Sequence, residues 1–112
     1  MDLNCLKREI KRLNFEALRV DHNDLFEVVF SQQEFDKLNL QLKSRMGEPV
    51  FPSKNSLPHK VQETVNGFGG IMSGQTLYYK ASETNSVFAM LWPWKDGQHT
   101  TIKIIQQNNH NN

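Results

Sequence analysis

The chain contains one cysteine, Cys5, no apolar run of membrane-spanning length, almost no net charge and no arginine after Arg45. Each shortage excludes something. A lone cysteine cannot form an intrachain disulfide and suits a reducing compartment. Lys7, Arg8, Lys11 and Arg12 interrupt the first apolar residues. No signal peptide or membrane span is therefore expected, and the cytoplasm is the default location. A net charge of +1 pulls the chain neither to nucleic acid nor to a membrane surface. Histidine is equally thin. No two of His22, His59, His99 and His110 stand at a helical i, i+4 spacing, so no metal and no cofactor is expected.

The short motifs carry little chemistry. Asp21, Asn23 and Asp24 cluster like ligands for a hard cation, but the central glycine and downstream glutamate of a calcium loop are missing. Turn formation explains them more cheaply. Asn66 to Gly74 is glycine-rich, yet phosphate cradles run from strand through glycines into a helix. Here the expected order is helix, glycines, strand, and no Gly-Lys-Ser/Thr follows. Cys5 lies in a basic helix, but a catalytic thiol also needs a histidine beside it, and most lone cysteines are packing residues.

What is present suits one folded domain. The chain has 112 residues, 38 % of them hydrophobic and 10 % aromatic, too apolar for a disordered segment. A chain of this length buries roughly 65 % of its unfolded surface without a covalent staple. Residues 1–105 are read as a single α+β domain and 106–112 as a disordered polar tail.

Leu3, Leu6, Ile10 and Leu13 fall at 3-4-3 spacing, which predicts an amphipathic helix from Asp2 to about Leu13. Ala17 extends the stripe, so a helix reaching Arg19 is preferred to a strand over Phe15 to Asp21. Lys7, Arg8, Lys11 and Arg12 form a basic stripe on the outer face, read mainly as a solvated surface. Leu25 to Phe30 is β-branched, aromatic and apolar on both faces, an interior strand. Ser31 and Glu34 have capping-box spacing, and Phe35, Leu38, Leu42 and Met46 carry a helix to Gly47. Pro49, Pro52 and Pro58 exclude regular structure from Glu48 to Pro58, with Val50 and Phe51 as anchors on the core. A short helix from His59 to Val65 follows.

Gln75 to Gln106 reads as a three-stranded antiparallel meander. Asp96-Gly97 predicts a two-residue hairpin loop with positive φ at both positions, pairing Trp92 with Thr101, Met90 with Lys103 and Leu91 with Ile102. A three-residue loop over Glu83 to Asn85 gives the cleaner partition of the first hairpin. One face then carries Leu77, Tyr79, Ala81, Val87, Ala89, Leu91, Ile102 and Ile104. The other carries Thr76, Tyr78, Lys80, Phe88, Met90, Trp92, Trp94, His99, Thr101, Lys103 and Ile105. The expected architecture is α+β: a four-stranded, mostly antiparallel sheet with two to three helices packed mainly on the Leu77/Leu91/Ile102 face.

The second face mixes aromatic and Met side chains with Lys, His and Thr. Protein interfaces use that mixture, and so do base-stacking platforms. Core packing under a helix is the plainer reading. The candidate binding set is Tyr78, Lys80, Met90, Trp92, Trp94, His99 and Lys103. The favoured function is a non-catalytic binding or assembly module whose partner is protein, a second copy or another chain, and not a membrane. The alternative is a small ribonuclease-like or nucleic-acid-binding domain using His99, Lys103, Lys80 and Tyr78. Near-neutral charge and the lack of late arginines weigh against it.

Overall fold

The computed structural model describes residues 3–51, 59–67, 70 and 74–108. They form α1 (Leu3–Lys11), β1 (Ala17–Asp21), β2 (Leu25–Ser31), α2 (Gln32–Met46), α3 (His59–Gly67), β3 (Thr76–Ala81), β4 (Asn85–Pro93) and β5 (His99–Asn108). The fold is α+β. The sheet has five strands in the order β1-β2-β5-β4-β3, and every pairing is antiparallel. Among the described residues no helix is long and apolar enough to cross a membrane.

The fifth strand comes from the stretch expected to prolong the first helix. Leu3, Leu6 and Ile10 are fully buried, but the stripe stops paying beyond Leu13, since Ala17 offers almost no area. The chain instead tightens, with Leu13 N–H donating to Ile10 C=O at 3.0 Å, and returns as β1. There it supplies the hydrogen bonds that β2 would otherwise lack at the sheet edge. Glu16 N–H donates to Val29 C=O and His22 N–H to Leu25 C=O, both at 2.8 Å. A bulge between Leu18 and Val20 and the charged Arg19 and Asp21 blunt this edge against further pairing.

The helix after β2 follows its apolar spacing, with Leu38, Leu42 and Met46 buried and Gly47 at φ 81° ending it. Its start differs from the capping box. Ser31 is the N-cap but makes no side-chain capping bond. The Gln32 N–H donates instead to Gln98 C=O at 2.8 Å, so the β4–β5 loop caps the helix with backbone.

The β4–β5 register is the expected one, Trp92 opposite Thr101 and Met90 opposite Lys103. The loop is longer than two residues. Trp94 N–H donates to His99 C=O at 2.8 Å, Asp96 Oδ1 accepts from the amides of Gln98 and His99, and only Gly97 has positive φ, 69°. The β3–β4 register is one residue away from the expected one: Tyr78 faces Ala89 and Tyr79 faces Phe88. Ser82 causes this. Its Oγ accepts from Thr84 N–H (3.4 Å) and Asn85 N–H (3.2 Å), while its own N–H donates to Asn85 C=O. A tight Glu83-Thr84 turn therefore closes without a left-handed residue, and Asn85 joins β4. A one-residue shift inverts every β3 side chain.

Two cores result, one on each side of the sheet. The larger joins α1 and α2 to Phe26, Val28, Phe30, Tyr78, Val87, Ala89, Leu91, Ile102 and Ile104. The smaller joins Val61 and Val65 of α3 to Leu77, Phe88, Met90 and Ile105. The Leu91/Ile102 face thus carries α1 and α2 as expected, but Leu77 belongs to the opposite face. Val50 and Phe51 do anchor on the smaller core, bridging to Leu77 at the β3 edge. Pro52 to Pro58, Phe68, Gly69 and Ile71 to Ser73 lie outside the described residues. β5 continues through Gln106 to Asn108, opposite Val87 to Asn85.

A candidate binding surface around Trp94

The inverted β3 register and the position of α3 sort the seven candidate residues into three places. Tyr78 is buried in the α2 core, where its hydroxyl hydrogen-bonds Asn39 Oδ1 at 3.1 Å. Burial, and then the charge of Glu48, push its ionisation up from 10.0. Lys80 lies on the same side and donates from Nζ to Arg45 C=O at 3.2 Å. Met90 is fully buried in the α3 core. Trp92, Trp94, His99 and Lys103 stay together.

These four are built by the β4–β5 hairpin and extended by the neighbouring strands. Trp94 Nε1–H donates to Thr101 Oγ1 at 2.8 Å. The Trp94 ring lies 4.8 Å from the His99 ring, tilted 37°, within the range of favourable aromatic contacts. His99 Nδ1 is in turn 2.6 Å from Asp96 Oδ2. The Gln98 amide, and after it the His99 ring, hold the Asp96 carboxyl below its ordinary 3.8. The Arg19 guanidinium also stands 5.6 Å from the Trp94 ring centroid. Lys103 Nζ lies 4.5 Å from the Trp92 ring. Between the two cations sits Glu27, 3.9 Å from Arg19 and 3.6 Å from Lys103.

The arrangement is therefore a row with an indole at each end, Trp94 against Arg19 and Trp92 against Lys103, joined at its centre by the Glu27 carboxylate. Cation–π contact explains the placement of both charges. Trp92 packs against the α3 core, and its Nε1–H is buried with no partner among the described residues. Trp94 differs: 38 % of it is exposed despite three constraints on its ring. A cleft of about 320 Å³, lined by Glu16, Ser31, Gln32, Gln33, Gln98 and His99, lies alongside.

A helix reaching Arg19 hides Arg19 and Glu27 as site residues. The signal was the alternation Leu18, Arg19, Val20, Asp21 ahead of a turn-forming His22-Asn23-Asp24. The acid–base set His99, Lys103, Lys80 and Tyr78 is not assembled, since the last two lie across the sheet from the first two. Among the described residues no group of three or more His, Cys, Asp or Glu is placed to hold a metal ion. No family model matches the chain, and no curated protein and no solved structure is significantly similar to it.

Proposed function

We propose that the chain is a non-catalytic protein-binding module and that the surface around Trp94 is its contact site. The observation that carries this is an exposed indole fixed before any partner arrives, by Thr101, His99 and Arg19. Interface hot spots are rich in Trp and Arg, and a ring already held in place loses little entropy on docking. Glu27 favours protein over nucleic acid. It occupies both cations of the row, so a phosphate backbone would have to compete with an internal carboxylate. The ribonuclease alternative loses support because Tyr78 and Lys80 are remote from His99. The surface carries Arg19, Lys103, Glu27 and Asp96, both signs together, which makes a second copy the first occupant to test.

The test uses Trp92→Phe, which leaves Trp94 as the sole indole. Acrylamide quenching is measured across a dilution series alongside sedimentation equilibrium. Shielding of Trp94 that grows as dimer forms supports a contact with a second copy. Open Trp94 on a monomer at every concentration moves the occupant to a different protein. Saturable quenching by a single-stranded oligonucleotide would replace this reading with the nucleic-acid one.

A further inference from the structure

The basic stripe of α1 is divided by the fold. Lys7 and Lys11 both reach back to Asp21 of β1, at 2.6 and 2.7 Å. Arg8 and Arg12 are left on the opposite flank, where α1 meets α2. Positions 5, 8, 9 and 12 share one helix face. Together with Arg45 from the last turn of α2 they line a cleft of about 190 Å³. Arg45 Nη2 lies 3.2 Å, and Arg12 Nη1 3.7 Å, from the same oxygen, Glu9 Oε1. Arg8 has no ion-pair partner among the described residues. The cleft lining thus holds three arginines and one carboxylate, and among the described residues Glu9 is paired with Arg12 and Arg45 alone, leaving an excess of two positive charges in a concave site. Arg12 and Arg45 remain open to solvent along their side chains, so an anion can enter without rearrangement of the helices.

A guanidinium fork matches the oxygens of a phosphate group two at a time, which a lysine cannot do. A dianion would also cancel the two unmatched charges, which a single carboxylate does not. We propose that the α1–α2 cleft binds a phosphate group, free or as a monoester, between Arg8, Arg12 and Arg45. This site is independent of the Trp94 surface and shares no residue with it.

The experiment is calorimetric titration of the full chain with inorganic phosphate and with O-phosphoserine, at fixed ionic strength set by chloride. Saturable binding is expected, weakened at least tenfold by Arg8→Gln and by Arg45→Gln. Arg8 makes no ion pair among the described residues, so its replacement should leave folding intact and keeps the test valid even if Arg45→Gln unfolds. Lys11→Gln should leave phosphate binding unchanged, because Lys11 faces Asp21. Tighter binding of the monoester assigns the site to a phosphorylated ligand, and equal binding assigns it to the free oxyanion. Heats no different from chloride would overturn the proposal. So would equal losses in Arg8→Gln and Lys11→Gln, which mark a diffuse basic helix.

Discussion

Trp94 is tied to β5 by a 2.8 Å hydrogen bond from its indole to Thr101 Oγ1, although Pro93 ends the strand just before it. That bond turns a loop residue into a fixed part of the sheet surface. The neighbouring indole, Trp92, has the opposite fate: it packs into the α3 core and leaves its own Nε1–H without a partner. Two tryptophans two residues apart on one face therefore divide the labour. One holds the fold, and the other is presented.

The pair yields a contrast that alanine substitution can measure. Trp92→Ala empties part of the smaller core and should cost roughly 3 kcal/mol. Trp94→Ala removes one hydrogen bond and a half-exposed ring, and should cost about 1 kcal/mol. Urea unfolding followed by circular dichroism gives both numbers. Equal losses would place Trp94 in the core as well and remove the case for a contact site.

Glu27 sets the charge of the same surface. Its side chain and that of Lys103 are both mostly buried, at 17 % and 19 % exposure, so the pair is less screened than a surface ion pair. A double-mutant cycle with Glu27→Gln and Lys103→Met should return a coupling of about 1 kcal/mol. Glu27→Gln alone should also raise affinity for single-stranded oligonucleotides, because it frees Arg19 and Lys103. Unchanged oligonucleotide binding would show that Glu27 is not the screen proposed.

Much of this fold is legible in the sequence where apolar spacing is long and both faces are defined. The second helix, the interior strand Leu25 to Phe30 and the pairing of Trp92 with Thr101 are of that kind. The β3 register was not, because a serine hydroxyl replaced the left-handed residue that such turns usually need. β1 was not, because Ala17 fits a helical stripe as well as a strand. The division of the second face between α3 and Trp94 depends on where Val61 and Val65 land, and their i, i+4 spacing says only that they face something apolar. Tyr78 and Lys80 left the candidate site with the register, while Arg19 and Glu27 entered it with β1.

The start of α2 distinguishes a capping motif from a capping contact. Ser31 and Glu34 have the right spacing, and a working N-cap serine is worth about 1 kcal/mol. Here Gln98 C=O already accepts the Gln32 N–H, and the Ser31 hydroxyl caps nothing. Ser31→Ala should therefore change stability by less than about 0.5 kcal/mol. A loss near the full capping value, read from denaturant midpoints, would mean that the side chain caps the helix after all.

Acid stability should be governed in part by Asp21. The side-chain hydrogen bond from Lys11, followed by that from Lys7, lowers its carboxyl from 3.8 to about 2. The unfolded chain thus binds a proton at a pH where the folded chain does not. Stability from this group is present in full above 3.8 and is lost as pH falls through about 2. The same contacts pin α1 to β1, so the loss should appear first as loosening of α1 from β1. Asp21→Asn removes the titration, and its stability should be flat across that window where the parent declines. Thermal midpoints of the two proteins between those pH values provide the comparison. Parallel declines would assign acid sensitivity to other carboxylates and leave the Lys7 and Lys11 contacts without a role in it.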